Sequence, residues 1–295
     1  MLVSNEMKER IIQAMKTARE NFGGSDAKFA TSLSINASQL SRIMRGDWDK
    51  VLSEERWITI ARVLGVGIGT QAKWNTANTP VFQFITAQLD KCQNESLSAL
   101  LCDLSDIGKT FAAVHYQRNH KNVVYIDCSQ VKSKQKLIRK IAKSFGVGST
   151  GKYDEVYEDL VFYLKQLPTP LIILDEAGDF HYEAFLEIKA LWNATEGYCG
   201  YYMMGADGLR QKIARAIDNK KVGYTELFSR FGRKYINCLP ANNDDRLRML
   251  QASASMIIKA NCKEGTDTMQ ILRGSRDEQG VPSLRRINKE LSKQA

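Results

Sequence analysis

The segment that decides the fold reads Asp103-Leu-Ser-Asp-Ile-Gly-Lys-Thr110, and it lies between an apolar run and the start of a predicted helix. Its second half, Gly108-Lys109-Thr110, matches the end of the G-x-x-x-x-G-K-[ST] motif of phosphate-binding loops. In that motif the backbone amides surround the phosphates, the lysine contacts the β and γ oxygens, and the hydroxyl binds Mg²⁺. The segment therefore predicts an ATP site at the start of the helix.

The first half of the segment departs from the motif, because Asp103 stands at the first glycine position and Asp106 is a second acid within the loop. Glycine suits such a loop because it adopts positive φ and lets the backbone approach a phosphate. Two carboxylates beside a triphosphate also oppose its charge. Replacing both aspartates by glycine is therefore predicted to tighten ATP binding. A degenerate loop in a DNA-binding regulator that binds nucleotide weakly or not at all remains an alternative.

A second segment, Leu171-Ile-Ile-Leu-Asp175-Glu176, has the pattern of a buried strand that ends in two acids. The first carboxylate is suited to the coordination shell of a magnesium ion. The second is suited to orienting the water molecule that attacks the γ-phosphate. We expect Thr110 and Asp175 to bind Mg²⁺ and Glu176 to be catalytic. The residues expected to bind ATP are Asp103, Leu104, Ser105, Asp106, Ile107, Gly108, Lys109, Thr110 and Phe111.

Further apolar runs predict strands at residues 96–101, 123–127, 200–204 and 235–239. A helix follows the second of these runs, with its apolar residues on one face. The alternation of strands and helices predicts an α/β core with a parallel sheet.

The N-terminal part of the chain has a different pattern, with helices predicted at residues 6–20, 26–33, 37–45 and 53–64. The second and third helices and the turn Ser34-Ile-Asn36 resemble the helix-turn-helix of the Cro/repressor type. The resemblance implies that the helix at 37–45 contacts DNA. Its candidate DNA-binding residues are Ser38, Gln39, Ser41, Arg42 and Arg45. A four-helix module for protein contacts is the alternative.

Charge and composition favour a cytoplasmic protein with a polyanionic partner. The net charge is +9, and residues 206–295 carry 18 basic and 10 acidic side chains, which favours a polyanionic partner such as nucleic acid. The six cysteines are scattered without metal-ligand spacing, so a cytoplasmic protein without a disulfide framework is expected. No apolar run is long enough to span a membrane.

The order of these motifs, with Ser229-Arg-Phe-Gly-Arg233 and Leu284-Arg-Arg-Ile287 after them, resembles the Mu B type of AAA+ transposition ATPase. The glycines and proline within residues 65–80 indicate a linker after the helix-turn-helix domain (1–64). The resemblance implies an AAA+ core (81–240) and a helical lid (241–295). It also implies ATP-dependent assembly into a ring or helical filament on double-stranded DNA, and a transposase as partner. A replication helicase loader is the related alternative.

The same resemblance implies further site residues. Asp207 corresponds to a polar sensor, Arg230 to an arginine that reaches a neighbouring subunit, with Arg233 second, and Arg285 and Arg286 to lid arginines that contact the nucleotide. Basic residues of the core are expected to contact DNA independently of its sequence, and the candidates are Lys132, Lys134, Lys136, Arg210, Lys212, Arg215, Lys220 and Lys221.

Overall fold

The computed structural model describes residues 3–67 and 74–293. Its first four helices are α1 (Asn5–Glu20), α2 (Asp26–Ser32), α3 (Ala37–Met44) and α4 (Glu54–Leu64). Each begins after a polar cap, because the side chains of Ser4, Ser25, Asn36 and Ser53 accept a backbone N–H of the first turn. These bounds agree with the predicted helices to within one residue at each end. Residues 68–73 of the predicted linker lie outside the described residues.

The rest of the chain alternates strands with helices and ends in three helices. The elements of the alternating part are α5 (Pro80–Asn94), β1 (Ser98–Cys102), α6 (Lys109–Asn119), β2 (Val123–Asp127), α7 (Lys134–Ser144), α8 (Tyr153–Gln166), β3 (Leu171–Asp175), α9 (Tyr182–Ala194), β4 (Gly200–Gly205), α10 (Asp207–Asp218), α11 (Tyr224–Arg230) and β5 (Tyr235–Ile236). The last three helices are α12 (Asn243–Asn261), α13 (Thr268–Gly274) and α14 (Leu284–Ser292).

The five strands form one parallel sheet in the order β2-β3-β4-β1-β5. Strand β4 lies between β1 and β3, so the loops that follow β1 and β3 leave the same edge of the sheet on either side of β4. In parallel sheets ligands bind at the carboxyl ends of the strands, where the strand order changes direction. This topology places the two motifs found in the sequence at one edge of the sheet.

Helices cover both faces of the sheet. Successive residues of each inner strand enter different apolar clusters: Ile172 and Leu174 of β3 pack with helices α7 to α11, whereas Leu171 and Ile173 pack with α5 and α6. A sheet buried on both faces explains why these strands read as continuous apolar runs in the sequence. The predicted α/β core with a parallel sheet is confirmed.

Strand β5 is shorter than the predicted strand at 235–239. It pairs with β1 only at Tyr235 and Ile236. The backbone amides of Cys238 and Leu239 instead donate to the Asp103 carboxylate. The ladder therefore ends because a side chain, and not a neighbouring strand, takes the next hydrogen bonds.

The N-terminal helices pack against the core near the amino end of β2. Asn21, which follows α1, donates its side-chain amide to the carbonyl oxygen of Arg118 at 2.7 Å. Lys28 of α2 places its ammonium 4.0 Å from the centre of the Tyr163 ring of α8. Outward residues of α3, among them Ser38, Ser41 and Arg45, remain exposed. In the described part of the chain no helix is long and apolar enough to cross a bilayer.

Candidate nucleotide-binding site

A cavity of about 760 Å³ opens beside the loop that follows β1. Pockets for small molecules generally have volumes between about 300 and 1,000 Å³. Its lining comes from the segment before α5, the loop between β1 and α6, the residue after β3, and the lid formed by α12 to α14. The loop residues in the lining are Ser105, Asp106, Ile107, Gly108, Lys109, Thr110 and Phe111. Seven of the nine loop residues predicted to bind ATP therefore meet in one cavity.

The backbone of the loop adopts positive φ at two positions, Asp106 at 58° and Gly108 at 98°. Aspartate tolerates this left-handed conformation better than most residues, because its short polar side chain can bond locally. Asp103 is not among the residues with positive φ. The sequence argument that the loop needs glycine freedom at position 103 is therefore wrong for this chain.

The side chain of Asp103 faces away from the cavity and is buried. One carboxylate oxygen accepts the backbone amides of Cys238 at 2.7 Å and Leu239 at 2.9 Å, and the other accepts that of Leu104 at 2.8 Å. Neither Asp103 nor Leu104 lines the cavity. This carboxylate therefore bonds to backbone amides instead of lining the cavity, and its opposition to the charge of the phosphates stays a prediction.

Lys109 is the first residue of α6 and is largely buried. Its ammonium donates to the carbonyl oxygens of Asp103 at 3.0 Å and Leu104 at 2.5 Å. Burial lowers the pKa of Lys109 below its ordinary value, while the carboxylates of Asp175 and Asp103 act in the opposite direction. The loop thus holds a desolvated cation at the helix N-terminus, where anions are favoured.

Thr110 and Asp175 meet although 65 positions separate them in the sequence. The threonine hydroxyl donates to the Asp175 carboxylate at 2.6 Å, and the Tyr125 hydroxyl of β2 donates to the same oxygen at 2.9 Å. Burial and the Asp175 charge raise the pKa of Tyr125, so its hydroxyl stays a donor. Hydroxyl and carboxylate oxygens are the hard ligands that Mg²⁺ prefers, so this pair fits a magnesium ion.

Glu176 follows Asp175 and lines the cavity. Its φ of 51° is uncommon for a residue with a side chain, and it turns the chain sharply after β3. Partial burial and the neighbouring Asp175 carboxylate raise the pKa of Glu176 above its ordinary value. The two acids therefore have different surroundings. Asp175 accepts hydrogen bonds from Thr110 and Tyr125, whereas Glu176 faces the cavity.

Of the two lid arginines predicted to contact the nucleotide, the structure places Arg285 at the cavity. It lines the cavity with 84% of its side chain exposed, and its Nε lies 3.8 Å from the Asp106 carboxylate. Arg286 belongs to the same helix, but its guanidinium donates to the carbonyl oxygen of Arg276 and is absent from the lining.

Two of the predicted catalytic residues lie outside the cavity lining. Asp207 begins α10 and accepts a hydrogen bond from the Gln211 side chain at 2.8 Å. Arg230 ends α11, donates to the Asn193 side chain at 3.0 Å, and stacks 5.3 Å above the Trp192 ring. A role for Arg230 at the site of a neighbouring subunit stays a prediction, and so does the sensor role of Asp207.

Sequence reasoning missed the wall of the cavity that faces the phosphate loop. Trp74 and Phe82 line it from before and within α5, and Asn261 and Leu284 line it from the lid. Asn261 also bonds reciprocally with Asn75, which ties the segment before α5 to the end of α12. No motif marks these residues, because they come from distant segments and share only their position.

The candidate DNA-binding side chains of α3 differ in whether they already have partners within the chain. Gln39 completes a capping box with Asn36 and donates to the carbonyl oxygen of Val51, and Arg42 forms an ion pair with Asp47 at 2.7 Å. Ser41 and Arg45 are exposed. The outward face of this helix therefore offers Ser38 and Ser41 directly, whereas the exposed Arg45 already donates its Nε to the carbonyl oxygen of Ser41 at 3.3 Å.

The two basic segments of the core are brought together. The Lys212 ammonium donates to the carbonyl oxygen of Phe180, and the next residue, His181, donates its amide to the carbonyl oxygen of Lys132. Burial lowers the pKa of Lys212, the charges of Lys221 and Lys132 lower it further, and Asp179 acts in the opposite direction. Lys212 and Arg210 are occupied inside the fold, since they donate to carbonyl oxygens of Gly178 and Cys102, respectively. The remaining lysines of the two segments are exposed or partly exposed, and we call them the basic patch: Lys132, Lys134, Lys136, Lys220 and Lys221. Of these, Lys132 also forms an ion pair with Asp179 at 3.5 Å.

Residues 93–213 match the family model described as an AAA domain. The matched segment includes strands β1 to β4, the phosphate loop and both acids that end β3. A search of curated proteins found no match to the chain. The matched segment indicates an ATPase domain of the AAA type, in agreement with the parallel sheet and its covering helices.

Proposed function

We propose that this chain, whose residues 93–213 match the AAA domain, binds ATP with Mg²⁺ in the described cavity and hydrolyses it. The observation that carries the proposal is the hydrogen bond between Thr110 and Asp175, beside Lys109 and Glu176. The two segments are distant in the sequence, and a chance match of either would not bring them to one cavity. Their oxygen and nitrogen groups are those that phosphoryl transfer needs.

Each group has a distinct task in this proposal. Lys109 stabilises the β and γ phosphates, and the amides at the start of α6 add further donors. A magnesium ion held by Thr110 and Asp175 would neutralise charge on the phosphates. Glu176 orients water, and Arg285 contacts the phosphates from the lid. Trp74, Phe82 and Phe111 supply an apolar wall suited to a nucleobase.

The finer proposal is that ATP drives assembly of this protein on duplex DNA, where it delivers target DNA to a transposase. The order of motifs supports it, and so do the exposed face of α3 and the basic patch. The two aspartates of the atypical loop would favour a regulator that does not bind nucleotide. One of them, Asp103, bonds to backbone amides outside the cavity lining, which weakens that alternative.

Two variants test the ATPase proposal. Lys109→Ala should abolish ATP binding because it removes the main cation facing the β and γ phosphates. Glu176→Gln should retain ATP and lose most of the hydrolysis, since it changes only the group that orients water. Lys189→Ala and Glu183→Gln are matched controls on α9. Binding of a fluorescent ATP analogue and phosphate release are the measurements, and unchanged affinity in Lys109→Ala would refute the site.

The partner is tested separately. Electron microscopy of the protein with duplex DNA, with and without ATP, should show rings or filaments only with ATP. Stimulation of strand transfer by a transposase from the same source supports target delivery. Loading of a replicative helicase without such stimulation assigns the protein to helicase loading instead.

A further inference from the structure

The carboxylate of Asp106 connects the phosphate loop to the lid. One of its oxygens accepts the hydroxyl of Ser283 at 2.7 Å and lies 3.4 Å from the backbone nitrogen of Arg285. Its other oxygen lies 3.8 Å from Nε of Arg285. Ser283 is itself the N-cap of α14, where it accepts the amide of Arg286. One side chain of the loop therefore holds the N-terminus of a lid helix.

The first aspartate of the loop, Asp103, bonds to the chain at the other end of the lid. Asp103 binds the amides of Cys238 and Leu239, which lie just before the chain enters α12. The lid begins at this point and returns to the loop through α14. The phosphate loop is therefore connected to the lid at both its start and its last helix, by the two residues that depart from the phosphate-loop motif.

Helix α14 is packed firmly into the lid, because Ile287 and Leu291 share one apolar cluster with residues of α12 and α13. The same helix presents Arg285 and Asn288 to the cavity. The contact with Asp106 therefore brings the Arg285 guanidinium beside the loop. A nucleotide phosphate next to Ser105 and Gly108 would compete with the Asp106 carboxylate for this guanidinium, since both are anions.

We propose that Asp106 is a positioning residue that latches the lid to the phosphate loop, and that nucleotide phosphates compete with it for Arg285. The latch itself depends only on contacts within the chain. Its competition with phosphate rests on the proposed ATP site. Nucleotide affinity and lid position are then coupled through a single carboxylate.

Amide hydrogen exchange of the full chain without nucleotide tests the latch. Asp106→Gly keeps the positive φ of the loop and removes the carboxylate, so amides at the start of α14 should exchange on the order of tenfold faster, as expected for loss of hydrogen bonds to a charged group. Ser283→Ala should have a similar effect. Asp127→Asn is the control, because this acid is the last residue of β2 and accepts the backbone amide of Ser129. Unchanged exchange in Asp106→Gly overturns the latch.

A double-mutant cycle tests the competition. Asp106→Asn keeps the size of the side chain and removes its charge, so it should tighten binding of a fluorescent ATP analogue about threefold to tenfold. Arg285→Ala should weaken binding more in the Asp106→Asn background than in the unmodified chain, because the guanidinium is then free for phosphate. Equal effects of Arg285→Ala in both backgrounds, or weaker binding by Asp106→Asn, overturn the competition.

The two experiments separate this proposal from the ATPase proposal. If the unmodified chain binds no nucleotide but Asp106→Gly accelerates exchange in α14, the ATP site fails and the latch stands. If Lys109→Ala abolishes ATP binding and exchange in α14 is insensitive to Asp106, the ATP site stands and the latch fails.

Discussion

At the scale of single residues, Asp103 departs from the phosphate-loop motif and has a structural role of its own. Its backbone needs no positive φ, and its carboxylate satisfies three backbone amides. Two of these amides belong to Cys238 and Leu239, which are buried. The residue therefore stabilises the connection between the core and the lid.

The consequence for stability is testable with Asp103→Ala. Leaving two buried amides unpaired should cost about 2 to 4 kcal/mol of unfolding free energy. Urea unfolding followed by tryptophan fluorescence measures the loss. Asp127→Ala, which removes the acid at the end of β2, should cost about 1 kcal/mol or less. A variant of Asp103 as stable as the unmodified chain would contradict the structural role.

At the scale of elements, the N-terminal helices and the core meet at a glycine. Gly146 follows α7 with a φ of +71°, and a Cβ at this position would lie 2.2 Å from the carbonyl oxygen of Lys28 in α2. A methyl group there cannot be accommodated unless α2 moves. The close approach of the two elements thus depends on the absence of a side chain.

Gly146→Ala should loosen α2 from the core, and Gly197→Ala provides a matched control. Gly197 has a similar φ of +78°, but a Cβ there would meet nothing within 4 Å. Both variants carry the strain of alanine at positive φ, about 1 to 2 kcal/mol. Only Gly146→Ala should accelerate hydrogen exchange in residues 26–32. Equal exchange in the two variants would show that the contact does not hold α2.

At the scale of the whole molecule, the basic patch predicts electrostatic DNA binding. Changing Lys136, Lys220 and Lys221 to glutamine should reduce the slope of log affinity against log salt by about 2 to 3, because each lysine that neutralises a phosphate releases about one counterion. Lys259, Lys263 and Lys289 of the lid region serve as a control with the same change in net charge. Fluorescence anisotropy with labelled duplex DNA across a salt series measures both slopes. Identical slopes in the two triple variants would exclude the patch as the DNA surface.

Assembly is also a property of the whole molecule. We propose that Arg230 couples it to ATP by contacting the γ-phosphate bound by a neighbouring subunit. Arg230 lies outside the cavity lining of its own chain, so Arg230→Ala should leave ATP binding by the monomer nearly intact. ATP-dependent assembly on DNA should be lost, because the charge-assisted bond to a neighbour's γ-phosphate is missing. Sedimentation with ATP and duplex DNA measures this, with Arg233→Ala for comparison. Normal assembly by Arg230→Ala would remove it from the interface.

The sequence by itself determined the features that depend on neighbours along the chain. Capping residues and apolar periodicity located the four N-terminal helices to within one residue at each end, and continuous apolar runs located β2 and β3. The phosphate loop and the two acids after β3 were recognisable because their chemistry requires fixed local spacing. The order of the elements then predicted a parallel sheet, which the structure confirms.

Only the tertiary structure decided the features that depend on distant partners. The direction of the Asp103 carboxylate is determined by amides 135 and 136 positions away, which also end β5 early. Trp74 and Asn261 reach the cavity, and the two basic segments meet, because the sheet and the lid bring their separate elements together. Local patterns determine what a segment forms, whereas the partner of a side chain depends on which distant atoms the fold places within hydrogen-bonding distance.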